Sequence, residues 1–253
     1  MTIPTLYVFA ISHYCEKARW ALDHYDIAYA LEHLAPGKHA EVAKQVGAPG
    51  TSVPWLVADG ELVHGSAAIL DWAGAHASGA APSLEPAPEH AAECRAIEER
   101  LDDVAGVHVR RTYYSEALVD DPVSVMPMFA DDLAREDREM IRKNWDIVVK
   151  LMIGAMDLGP EQGQESLRIL EGELDWCERL LADGRLYLLG EDFTRADVTA
   201  ASLLAPIVIP AEHPTYGRLS VPPRASALVE RWRDRPAVRW VREIYRKHRK
   251  PNA

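Results

Sequence analysis

The chain has 253 residues and a formal net charge of −11 at pH 7, a balance that argues against nucleic acid as a partner. Hydrophobic residues make up 48% and charged residues 26% of it, which is typical of a globular protein large enough to bury its own core. The three cysteines, Cys15, Cys94 and Cys177, are an odd number and lie far apart, so we expect reduced thiols and a cytoplasmic location. The longest apolar run, residues 200–211, contains two prolines and is too short to span a bilayer, so no membrane partner is expected.

The N-terminal part of the chain predicts a mixed domain, because short apolar runs alternate with helical patterns. The predicted order is strand, helix, strand, helix, strand, strand, helix, over residues 5–10, 14–25, 27–34, 37–47, 53–58, 61–64 and 66–77. Asp59-Gly60 predicts a hairpin turn, since both central residues of such a turn favour positive φ. Ser66 is the predicted N-cap of the last helix. The first two strands, joined by a helix, are expected to be parallel.

The rest of the chain predicts helices only. We expect a first domain at residues 1–79, a linker rich in Ala and Pro at 80–90, and an all-α domain at 91–253. Residues 116–132 contain two prolines and are predicted to form a long loop. The predicted helices cover residues 91–118, 133–156, 164–184, 194–209 and 225–248. Within the fourth of these segments, Thr194 and Asp197 have the spacing of a capping box.

Ser12 stands at the strand-to-helix turn in "FAISHYCEKARWAL", where a redox protein would place a cysteine. Backbone N–H groups and the positive end of the helix dipole converge there, and such positions favour a thiolate. The Ser12 hydroxyl either caps the helix or donates a charge-assisted hydrogen bond to a thiolate brought by a ligand. Cys15 has no attacking partner, so dithiol exchange is excluded and a buried small residue is expected.

Two further positions suit a ligand. Val53-Pro54 begins a strand, where proline is tolerated, and a cis bond there would turn the Val53 backbone outward. Ser66 and the N–H groups behind it suit a carboxylate, although a plain cap explains it equally well. The histidines show no metal-type constellation, so no metal is expected.

Taken together, these motifs resemble the cytosolic glutathione transferase superfamily over nearly the whole chain. The resemblance rests on "SHYCEKARWAL" after a strand, "VPWL" after an "APG" turn, "GSAAIL" opening a helix, and "FTRADVTAA" in a helical half. It implies an N-terminal thioredoxin-like βαβαββα domain followed by an all-helical domain. It also implies a homodimer. The resemblance is to the serine or cysteine type known from bacteria, because Val8 occupies the place of the tyrosine used by other members.

The resemblance also assigns roles to single residues. Ser12 would hold the glutathione thiolate, and Tyr14 would line the site of its cysteinyl part. Val53 would pair with the cysteinyl backbone, which raises the expectation of a cis Pro54. Ser66 would bind the γ-glutamyl carboxylate, and Lys38 or His39 the glycyl carboxylate. The family usually has an acidic residue before this serine, whereas the present chain has Gly65.

The function implied is a glutathione transferase acting in detoxification, which turns the glutathione thiol into a thiolate that attacks an electrophilic, apolar small molecule. The electrophile pocket would lie between the two domains, with Arg110, Tyr113, Tyr114 and Met128 as candidates, although these residues also fit an ordinary core. One alternative is glutathione-dependent cleavage of an ether or a halide. Another is a non-catalytic ligand-binding or assembly protein with the same fold.

Overall fold

The computed structural model describes residues 2–250, which packing divides into two units. The first unit runs to Pro82 and also contains Val125–Leu151, whereas the second contains Ser83–Ser124 and resumes at Met152. Val125–Leu151 therefore packs within the first unit although the sequence places it in the predicted helical domain. The domain limits at residues 79 and 91 stay a prediction.

The first unit contains a four-stranded sheet in the order β2-β1-β3-β4. β1 and β2 are parallel, whereas β1–β3 and β3–β4 are antiparallel. The predicted βαβαββα order is confirmed. Its elements are β1 (Thr5–Val8), α1 (His13–His24), β2 (Ala30–His33), α2 (His39–Gln45), β3 (Trp55–Ala58), β4 (Glu61–His64) and α3 (Ser66–Ala75).

Local chemistry explains how this sheet forms. Asp59 and Gly60 both have positive φ, 48° and 87°, so the predicted hairpin turn joins β3 to β4. Leu6 and Leu56 face each other across β1 and β3 and are fully buried. Burial of such side chains contributes about 1.5–3 kcal/mol each and fixes the register of the central strands.

The register gathers four chain segments at one end of the sheet. Val8, the last residue of β1, pairs with His33, the last residue of β2. Tyr7 of β1 pairs with Trp55, the first residue of β3, and Trp55 pairs with His64, the last residue of β4. The residues that follow β1, β2 and β4 and those that precede β3 therefore lie at the same end.

Every regular element after α3 is helical in the described part of the chain, apart from one isolated bridge between Tyr187 and Gly190. A π-helical turn at Leu101–Ala105 joins the first two of these helices. The helices are α4 (Ala91–Arg100), α5 (Gly106–Ala117), α6 (Pro122–Ala130), α7 (Arg135–Lys143), α8 (Trp145–Met156), α9 (Pro160–Leu180), α10 (Arg195–Val208), α11 (Pro223–Trp232) and α12 (Pro236–His248).

Three expectations about these helices were wrong, one of them being the single helix predicted over 225–248, which is divided into α11 and α12. The loop predicted at residues 116–132 instead contains α6, which begins at Pro122, where the missing N–H costs nothing, and buries Val125 and Met128. The single helix predicted over 133–156 is two helices. Asn144 ends α7 with φ −114°, and its side-chain amide donates to the Met140 carbonyl at 2.9 Å.

Two features are absent from residues 2–250. No helix there has the length and apolar composition needed to cross a membrane. Nor do those residues contain a group of three or more His, Cys, Asp or Glu side chains arranged to hold a metal ion.

Candidate functional site

Ser12 is the N-cap of α1. Its backbone is extended, with φ −74° and ψ 118°, and its hydroxyl oxygen accepts a hydrogen bond from the Cys15 N–H at 3.4 Å. This bond uses the oxygen as an acceptor, so the hydroxyl proton can be donated either to the Cys15 sulfur, with which Ser12 shares a side-chain hydrogen bond, or to a ligand sulfur. Capping and donation to a ligand sulfur are therefore compatible roles of one side chain.

Cys15 lies one turn into α1 and is 1% exposed. Burial raises the pKa of its thiol to about 12, against a smaller lowering effect of the hydrogen bond with Ser12. The thiol is therefore protonated near neutral pH and is a poor nucleophile. The expectation that Cys15 is a buried residue is confirmed, and Cys94 and Cys177 are buried as well.

The Val53–Pro54 peptide bond is cis, as the family resemblance implied. Among residues 2–250, neither the N–H nor the C=O of Val53 has a hydrogen-bond partner. The neighbouring carbonyls both have one: His64 Nε2 lies 2.9 Å from the Ser52 oxygen, and the Gly65 N–H donates to the Pro54 oxygen at 3.0 Å. Val53 therefore presents a short, unpaired backbone edge.

The N-cap of α3 is Gly65 and not Ser66, which corrects the sequence-based assignment. An N-cap residue has non-helical dihedrals, and Gly65 has them, with φ 93° and ψ 150°. Ser66 is the first helical residue and is 6% exposed, and its hydroxyl has no hydrogen-bond partner within residues 2–250. The first intrahelical N–H to be bonded is that of Ile69, so the N–H groups of residues 66–68 remain for an anion.

Lys38 lies just before α2, and its amine is 2.7 Å from the Asp137 carboxylate of α7. This hydrogen bond raises the pKa of Lys38. The ammonium group therefore already has an anionic partner. A ligand carboxylate at this position would have to share or displace Asp137.

His39 offers a different kind of contact. Its Nδ1 accepts a hydrogen bond from the Gly37 N–H at 3.0 Å, and its ring meets the Phe9 ring edge-on at 5.0 Å between centroids. Burial lowers the pKa of His39, so the ring is neutral at pH 7 and its Nε2–H is a single neutral donor. Near the same end of the sheet, the Tyr14 ring lies 4.5 Å from the His13 ring.

The candidate pocket residues are distributed over both units. Arg110, Tyr113 and Tyr114 lie on α5 of the second unit, and Met128 lies on α6 in the first. Tyr113 and Tyr114 are 2% and 9% exposed, their rings meet edge-on at 5.5 Å, and burial raises the pKa of both phenols. Such tyrosines belong to the core of their unit, so their place in an electrophile pocket stays a prediction.

Sequence reasoning missed three residues at this end of the sheet: Ser52, His64 and Asp137. No local pattern marks any of them as a site residue. His64 could have been noticed only as the neighbour of Gly65, and Asp137 lies 99 positions from its partner Lys38.

Comparison with known proteins supports the assignment of the first unit. Residues 6–83 match the family model described as the glutathione S-transferase N-terminal domain. No curated protein sequence is similar enough to this chain to be identified as a relative.

Several solved structures share the fold along nearly the whole chain. Glutathione transferase GSTFuA3 from Phanerochaete chrysosporium is 17% identical with a TM-score of 0.66, and the alignment covers 100% of both chains. The β-etherase LigF from a Sphingobium species is 20% identical with a TM-score of 0.62, covering 96% of this chain and 99% of its own. A theta class enzyme from Xanthomonas axonopodis pv. citri, solved with glutathione bound, is 17% identical with a TM-score of 0.56, covering 94% and 96%.

These likenesses agree with the architecture described above, which joins a four-stranded thioredoxin-like sheet to a helical second half. The matched region contains Ser12, the cis Val53–Pro54 bond and Ser66. Residues 6–83 therefore match the N-terminal domain of glutathione S-transferases, and the chain as a whole has the fold of the solved glutathione transferases.

Proposed function

We propose that this protein is a glutathione transferase, which stabilises the glutathione thiolate for attack on an electrophilic, apolar small molecule. The observation that carries the proposal is the set of groups at one end of the sheet. A hydroxyl caps α1, an unpaired backbone edge lies at Val53, and a buried hydroxyl opens α3 at Ser66. A thiol, a peptide backbone and a carboxylate are the three ligand groups that complement them.

The proposed chemistry uses Ser12 and the N-terminus of α1. The Ser12 O–H donates to the sulfur, and the helix dipole further favours the thiolate, so the thiol proton leaves to solvent. The thiolate then attacks an electrophilic carbon, a thioether bond forms, and the leaving group departs with its bonding electron pair. Orientation of the two bound reactants supplies much of the rate.

The remaining roles complete this proposal. Val53, after the cis Pro54, pairs with the cysteinyl backbone, and Tyr14 lines that part of the site. Ser66 and the N–H groups behind Gly65 bind the γ-glutamyl carboxylate.

The glycyl carboxylate and the electrophile have the less specific sites. The carboxylate meets the Nε2–H of His39, or Lys38 once Asp137 gives way. We propose Arg110, Tyr113, Tyr114 and Met128 for the electrophile pocket. A homodimer, a cytoplasmic location and a role in detoxification follow from the family resemblance alone.

Replacement of Ser12 tests the central role. We expect Ser12→Ala to raise the pKa of bound glutathione towards that of the free thiol, because a charge-assisted donor is lost. We also expect kcat/KM to fall by about 10- to 100-fold, a loss that approaches the effect of removing one hydrogen-bond donor from an oxyanion hole. Ultraviolet thiolate absorbance against pH and turnover of a chromogenic aryl halide would measure the two effects.

Ser12→Asp is the matched control, because aspartate also caps helices but places a negative charge beside the sulfur. We expect Ser12→Asp to keep the stability that Ser12→Ala loses and yet to raise the thiol pKa further. Wild-type thiol pKa and turnover in Ser12→Ala would contradict the proposed role.

A second candidate is glutathione-dependent cleavage of an ether, and the observation that favours it is the fold shared with a β-etherase. The attack is the same, but the leaving group is an aryloxide or, in the related case, a halide. Turnover of a β-aryl ether with none of aryl halides would favour this reaction. Glutathione binding without turnover of either would favour a non-catalytic binding or assembly protein.

A further inference from the structure

The segment Ser52–Pro54 is attached to the end of β4 at two points, one on each side of Val53. On one side His64 Nε2 lies 2.9 Å from the Ser52 carbonyl oxygen and 3.1 Å from the Ser52 hydroxyl. On the other side the Gly65 N–H donates to the Pro54 carbonyl at 3.0 Å. The backbone N–H and C=O of Val53, between these points, have no partner within residues 2–250.

The two attachments differ in the group that donates the hydrogen bond. The Gly65 bond is donated by a backbone N–H and does not depend on a side chain. The His64 bond comes from a side chain and depends on residue type. A carbonyl oxygen only accepts, so the bond to the Ser52 carbonyl uses the tautomer with the proton on Nε2.

The chain before Val53 has little else to hold it. Residues 50–52 are exposed and contain Gly50, and none of them is part of a strand or helix. If this segment were mobile, a ligand that paired with Val53 as a short strand would have to order it on binding, which would lower the affinity. The His64 bond orders it beforehand, and such preorganisation is a recognised source of affinity.

We infer that His64 is a positioning residue for the thiol ligand: through Ser52 it holds the unpaired Val53 backbone edge in place for an extended peptide ligand. This inference rests on the proposed function for the identity of that ligand. His64 acts through the main chain of residues 52–53, so it is expected to affect the affinity for the thiol and not the rate of the chemical step.

Three variants separate this role from a general effect on folding. His64→Leu removes the donor and keeps a residue suited to a strand, whereas His64→Gln keeps an N–H donor of similar reach. His76→Leu is the matched control, because the His76 ring nitrogen also contacts a main-chain carbonyl, that of Trp72 at 2.8 Å. His76 follows the last turn of α3, at the opposite end of the helix from Ser66.

The first measurement needs no ligand. Backbone NMR order parameters over residues 50–53 are expected to be lower in His64→Leu than in the wild type, His64→Gln and His76→Leu. Unchanged order parameters in His64→Leu would overturn the inference, since His64 would then not hold the segment.

The second measurement uses reduced glutathione, with calorimetry for affinity and steady-state kinetics for turnover. We expect His64→Leu to weaken binding by about three- to tenfold, the effect of one neutral hydrogen bond. Its kcat at saturating glutathione should stay within about twofold of the wild type, and His64→Gln should restore most of the affinity. Equal weakening in His64→Gln and His76→Leu would overturn the inference.

One outcome separates this inference from the function on which it rests. If the order parameters over residues 50–53 fall as expected in His64→Leu but wild-type protein binds no glutathione, the proposed function fails. The role of His64 towards this ligand then fails with it, although its attachment to Ser52 stands.

Discussion

Backbone conformation at position 65 decides which residues can stand before Ser66. Gly65 has φ 93° and ψ 150°, a region that is open almost only to glycine. An ideal Cβ built there meets no atom within 4 Å, so the restriction comes from the dihedrals and not from crowding. The glycine at position 65 therefore fits the backbone conformation that precedes Ser66.

Replacement of Gly65 should accordingly reduce stability. We expect Gly65→Ala to lower the free energy of unfolding by about 1–3 kcal/mol, the cost of a side chain in this region. Urea denaturation followed by circular dichroism would measure it. A glutamate at position 65 would carry the same cost, so any gain in glutathione binding must be compared with Gly65→Ala.

A second glycine provides a control of opposite sign. Gly172 lies inside α9 with an ordinary helical φ and no atom within 4 Å of an added Cβ. Gly172→Ala should therefore raise the free energy of unfolding by about 1 kcal/mol. Equal effects of the two substitutions would show that the conformation at position 65 imposes no special requirement.

Single residues also show how far the sequence predicts the candidate site. Ser12 as a cap and Asp59-Gly60 as a turn were predictable, because both depend on bonds and dihedrals within a few residues. Lys38 was not, since Asp137 lies 99 positions away. The contact of His64 with Ser52 depends on the register between β3 and β4. The hairpin turn suggests this register but does not show which side chains will be in contact.

At the scale of elements, α10 shows a case in which local sequence was sufficient. The capping box predicted from Thr194 and Asp197 is present. Buried Asp197 accepts hydrogen bonds from the N–H groups of Leu188 and Thr194, both at 2.8 Å, and from the Thr194 hydroxyl at 3.0 Å. One carboxylate thus begins α10 and also attaches the preceding loop to it.

We expect Asp197→Ala to lower the free energy of unfolding by about 2–4 kcal/mol. The substitution removes the cap and leaves two buried backbone N–H groups without an acceptor. Thr194→Ser keeps the hydroxyl and should cost less than about 1 kcal/mol. Urea denaturation of both variants is the measurement, and a cost for Asp197→Ala as small as that for Thr194→Ser would contradict this account.

Elements predicted less well had competing signals. Prolines at 122 and 127 indicated a loop, yet α6 forms because Pro122 occupies its first turn and Val125 and Met128 bury their side chains. Apolar periodicity continued across Asn144, yet the chain breaks there into α7 and α8. In the first case packing overrides propensity, and in the second a side-chain bond to the Met140 carbonyl ends the helix.

At the scale of the whole molecule, the spacing of apolar residues was enough to predict a first part with strands and helices and a second part with helices alone. It could not show that Val125–Leu151 packs with the first unit, because that depends on contacts distant in sequence. Within the second unit, one such set of contacts converges on Arg195. Its backbone N–H donates to the Leu84 carbonyl at 2.8 Å, and its guanidinium contacts Glu85 and Glu98.

Arg195 therefore connects the beginning of the second unit, α4 and α10 by a single side chain. Its side chain is 0% exposed and that of Glu98 is 3% exposed. We expect Arg195→Met to lower the free energy of unfolding by about 3–5 kcal/mol, because the substitution removes the closer arginine partner of the buried Glu98 carboxylate and leaves Arg95, at 3.7 Å. Urea denaturation would measure the loss.

Arg231 provides the control, because it also pairs with a glutamate of another helix, Glu171, at 2.8 Å, but is 53% exposed. Arg231→Met should cost less than about 1 kcal/mol. Adding Glu98→Met to Arg195→Met should recover much of the loss, since two apolar side chains can replace a buried ion pair with little cost. If the double variant is as unstable as Arg195→Met alone, the loss comes from packing and not from the buried Glu98 charge.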